Sequence, residues 1–168
     1  MTTAFDQLRA ERKKLPAGLL RIFRDRGFHA MYVAGPLSPV ARYMGDNRGG
    51  WPVRIGTTAS ADDNLTHIAD SWSPYWTQGV LFRVWTESEA HARMVSGLTA
   101  GLIEERSDDL RKAWRDLGPD TDLPMLEFEI HAIANEAGIR TWDDHSLRQH
   151  LEAELENEIS TLRKSVGG

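Results

Sequence analysis

The chain has 168 residues, 40% of them hydrophobic and 27% charged, with a net charge of −5 and no cysteine. This balance fits one globular domain, with or without a helical appendage, and excludes an intrinsically disordered chain. The lack of cysteine excludes a disulfide scaffold and thiolate zinc sites, and it fits a reducing compartment. No apolar run is long enough to span a bilayer, and the charged opening MTTAFDQLRAERKKLP has no apolar leader. The expectation is a cytoplasmic protein with no membrane partner.

The charge is unevenly placed. Residues 1–58 carry ten Lys/Arg against four acids, a balance of +6, which leaves −11 for the rest of the chain. A basic segment on an acidic body either marks a surface that faces a polyanion or solvates helix faces.

In chain order, residues 4–14 read as a short basic helix that stops before Pro16, and residues 17–26 as a second helix ended by Gly27. Residues 28–34, FHAMYVA, read as a strand closed by Gly35-Pro36. Residues 35–51 form a connector rich in Gly and Pro, in which 40–44 can make a helical turn. Residues 52–58, PVRIGTT, read as the second strand. Ser60, followed by Ala61-Asp62-Asp63, starts a helix that ends near Ser71, because a Ser cap and acids in the first turn suit the helix dipole. Residues 79–86, GVLFRVWT, form the third strand. Thr86 and Glu89 have capping-box spacing for a long helix over 87–106, with Met94, Val95, Leu98 and Leu102 as its buried stripe.

Residues 108–116 continue as a short helix broken by Gly118-Pro119-Asp120, and residues 125–137 as another helix stopped by Gly138. In the tail, 145–164, Leu147, Leu151, Leu155, Ile159, Leu162 and Val166 share one helical face. Strands clustered early with helices after them make the fold α+β. The tail stripe is longer than one small core requires, which predicts a homodimer through residues 145–164.

The segment Met31-Tyr32-Val33-Ala34-Gly35 resembles the first motif of the GIY-YIG nuclease superfamily. Val53-Arg54-Ile55-Gly56-Thr57-Thr58 resembles the second, in the form with a basic residue before Ile-Gly. The order strand, loop, strand, helix, strand, long helix over residues 28–106 is also that of the family. The resemblance implies a small three-stranded antiparallel sheet flanked by helices. On that reading 1–27 form basic N-terminal helices, 28–106 the GIY-YIG-like core and 107–168 a C-terminal helical extension.

Phosphodiester hydrolysis needs a base for water, a cation for the charged transition state and a metal held by a carboxylate. The resemblance places Tyr32, Arg54 and Gly56 in the site, Gly56 leaving room for substrate beside the backbone. It places Asn64 where the family has Arg, Val95 where it has the metal-binding Glu and Thr99 where His is frequent. A site without those two groups implies no cofactor and no cleavage. The expectation is a nuclease-fold protein of the type found in phage, prophage and mobile elements, catalytically degenerate and acting near DNA through Arg12, Lys13, Lys14, Arg42 and Arg48. One alternative is an active Mg²⁺-dependent endonuclease with Glu89, Glu104, Glu105 or Asp62 as ligand. Another is a structural or assembly protein.

The six histidines show no metal-ligand spacing; His67 shares the segment of Asn64. Among the six tryptophans, Trp51, Trp72 and Trp76 flank the second strand and the helix after it, where they either stack on bases or fill the core. Residues 132–151 have the outline of a helix-turn-helix, but the turn is acidic and the second helix has few basic residues, which favours a structural hairpin.

Overall fold

The computed structural model describes residues 17–37, 39, 50–58, 78–109 and 114–167. The helices expected at 4–14 and 60–71, and most of the 35–51 connector, lie outside these residues. The described elements are α1 (Ala17–Asp25), β1 (His29–Pro36), β2 (Pro52–Thr58), β3 (Gln78–Thr86), α2 (Glu89–Arg106), β4 (Asp108–Asp109), β5 (Arg115–Asp116), α3 (Leu123–Glu136) and α4 (Asp144–Val166). The class is α+β, with a small antiparallel sheet.

The sheet has five strands in the order β3-β1-β2-β5-β4, not the three expected. The two additional strands are two residues each and stand at the two ends of the segment expected as a short helix over 108–116. A two-residue strand is too short to leave a period in the sequence, so the segment's charges read as a helix face. What fixes β5 is Trp51. Its N–H donates to Asp116 Oδ1 at 2.9 Å, and its carbonyl accepts from Leu117 N at 3.0 Å. The Trp51 indole is buried and donates to Pro36 O at 2.8 Å, so this tryptophan fills core.

β1 lies between β3 and β2 and is buried from Ala30 to Pro36, which explains its near-continuous apolar run: helices cover both faces. On one face Met31, Val33, Val53 and Val84 cluster with Val95 and Ile103 of α2 and with Leu126, Ile130 and Ala134 of α3. On the other, Ala30 and Trp85 cluster with Leu20 and Phe23 of α1, Trp142, and Leu147 and Leu151 of α4. Residues beyond 107 therefore contribute to both cores.

Two local expectations for α2 change. Its N-cap is Ser88, whose Oγ accepts from His91 N at 3.1 Å, while the Thr86 hydroxyl donates to His29 O and Ser88 O. Its buried stripe is Ala92, Val95, Thr99 and Ile103, while Met94 is 53% exposed and Leu98 36%. The stripe at spacings 3, 4 and 4 is helical, but two of its members are small or polar, so the larger exposed residues mislead. α4 is capped by Asp143 in a reciprocal box with Ser146.

Candidate functional site

Alternation along the strands puts Tyr32 and its neighbours on the α1/α4 face of the sheet. At one level the cross-strand partners are Gly56, Tyr32 and Arg83; at the next, Thr58, Ala30 and Trp85. Arg54 pairs with Ala34 on the same face. Tyr32, Arg54 and Gly56 are thus brought together by the β1–β2 register.

Their packing is tight. Tyr32 is 4% exposed. A Cβ built at Gly56 would collide with Cζ and Oη of Tyr32 and come within 2.7 Å of its Cε1. The space that glycine leaves is filled by the phenol ring of the neighbouring strand. Burial raises the Tyr32 pKa above its ordinary 10.0, and the positive charge of Arg54 partly offsets this. A phenol held in its protonated form is a poor general base.

Val95 and Thr99 lie on the other side of the sheet. Val95 is 0% exposed inside the apolar cluster with Met31 and Val33, and Thr99 follows one turn later at 1%. The structure therefore does not bring Val95 to Tyr32. Arg12, Lys13, Lys14, Arg42, Arg48, Asn64, His67, Trp72 and Trp76 lie outside the described residues.

Besides Arg54, the charged groups described on the Tyr32 face include Arg83 and Asp144. Arg83, 1% exposed, points Nη1 at Asp144 Oδ2 at 3.0 Å. The other oxygen, Oδ1, accepts from Trp85 Nε1 at 2.7 Å. Asp144 is the first residue of α4, where a carboxylate also faces the positive end of the helix dipole. Its pKa is raised by burial, against the opposing pull of Arg83 and the hydrogen bonds from Trp85 and Arg83. Sequence reasoning missed this pair. The signal was there: a lone Arg inside GVLFRVWT must find a partner if the strand is buried.

Arg83 and Asp144 open at one edge into a groove of about 560 Å³, shared with Glu127, Asp143 and His145. With Asp144 already engaged by Arg83 and Trp85, the groove is a polar crease between β3, α3 and α4. Among the described residues no group of three His, Asp or Glu is arranged to hold a metal ion. No described helix is long and apolar enough to cross a membrane. Comparison with protein-family models, curated proteins and solved structures finds no match to this chain.

Proposed function

We propose that the chain is a GIY-YIG-like protein that binds DNA without cleaving it, its motif residues serving as a packing layer. The observation that carries this reading is the closed contact of Tyr32 with Gly56 on a face where Asp144 is held by Arg83 and Trp85. β1 and β2, which carry the two motif segments, pair directly and antiparallel. The tyrosine that would act on water is instead buried and protonated. The positive balance of residues 1–58 supplies the attraction for phosphate.

Binding to a random duplex, followed by fluorescence anisotropy, tests the reading. Phosphate contacts release counterions, so affinity falls by about tenfold or more between roughly 50 and 200 mM salt. Replacing Arg12, Lys13 and Lys14 with Glu weakens binding on every sequence alike. Salt-independent binding, or none at low salt, refutes DNA association.

A further inference from the structure

We infer that residues 155–166 of α4 pair with the same segment of a second copy as a short antiparallel coiled coil. The observation is independent of DNA binding. α4 runs to Val166, but its contribution to the core ends at Leu151. Beyond that point Leu155 is 47% exposed, Ile159 41%, Leu162 64% and Val166 86%. Their spacing of 4, 3 and 4 is that of heptad core positions. A helical segment with no buried side chain is marginal in water, and packing of its apolar face is what ordinarily supports it.

Charge identifies the occupant. With Ile159 opposite the partner's Leu162 and Leu155 opposite the partner's Val166, Glu156 of each helix flanks Arg163 of the other. The two-fold axis makes that pair twice. The segment is therefore complementary to itself. A parallel pairing would instead set Glu158 against Arg163. Glu158 is already engaged within the chain: it faces Nη1 of Arg26, just past the end of α1, at 3.7 Å. The antiparallel form leaves this contact in place and sets uncharged Ser165 of the partner beside Glu158. Glu156, Ile159, Ser160 and Arg163 line one shallow groove along the free flank.

Sedimentation equilibrium on the full chain should give twice the monomer mass. Ile159→Asp with Leu162→Asp should weaken the dimer by about a hundredfold or more, with the circular dichroism of the folded body kept, since both positions are exposed. Orientation is read by cross-linking, which the absence of native cysteine keeps clean. An equimolar mixture of Glu156→Cys and Arg163→Cys chains forms disulfide heterodimers under mild oxidation, and neither variant alone does. A monomeric wild type, a dimer indifferent to the two aspartates, or a mixture that does not cross-link overturns the proposal.

Discussion

Arg83 and Gly56 are the two residues on which the Tyr32 face depends, and for opposite reasons. Arg83 brings a charge into a nearly dry layer, and Asp144 compensates it. Removing one member of such a pair costs far more than the pair contributes net, about 3–5 kcal/mol. Asp144→Ala should therefore lower unfolding stability in urea by about that amount, and Asp144→Asn, whose single carbonyl oxygen can accept from only one of Trp85 and Arg83 and whose amide nitrogen turns a donor toward the other, should recover only part of it. Gly56 instead provides empty space. Gly56→Ala forces its methyl group into the Tyr32 ring and should destabilise by roughly 1–3 kcal/mol, and Tyr32→Val in the same chain should relieve the loss. The sequence put Tyr32 and Gly56 together only through a resemblance, and their mutual contact was not legible in it. Contact depends on strand register, and register is set by the whole sheet.

At the scale of elements, the three long strands and the bodies of α1, α2, α3 and α4 were readable from period and punctuation. Gly27, at φ 87°, and Gly138, at φ 81°, stop α1 and α3 where left-handed backbone demands glycine. The inward face of α2 was misjudged because Ala92 and Thr99 give it little hydrophobic contrast against exposed Met94 and Leu98. β4 and β5 were invisible because tertiary hydrogen bonds to Trp51, not propensity, hold β5. The connection from α3 to α4 carries a pH dependence. His131 Nδ1 lies 2.7 Å from Thr141 Oγ1. Its pKa is lowered from 6.5 by burial, with Asp143 pulling the other way. The folded state thus favours neutral His131. That stabilisation is complete above pH 6.5, the ordinary value, and is lost as pH falls through the lowered one. The thermal midpoint should drop on acidification below 6.5, and His131→Gln should flatten that part of the profile.

At the scale of the molecule, two helical layers enclose the sheet, and the far half of α4 extends past the core it helps to close. Residues 107–168 read as an appendage because their pattern is purely helical, yet Ile130, Ala134, Leu147 and Leu151 complete the two apolar clusters. The tail stripe read as continuous divides in the fold: Leu147 and Leu151 face inward, and Leu155 onward do not. No single-helix periodicity reports where the body stops. On the proposed function, the sheet face that carries Tyr32, Arg54 and Gly56 is a packing layer and not a catalytic site. The measurement that tests this most directly is incubation of supercoiled plasmid with the purified chain in Mg²⁺ or Mn²⁺. Intact plasmid is the predicted result, for the wild type and Tyr32→Phe alike. Metal-dependent cleavage that disappears in Tyr32→Phe would contradict the proposed loss of catalysis.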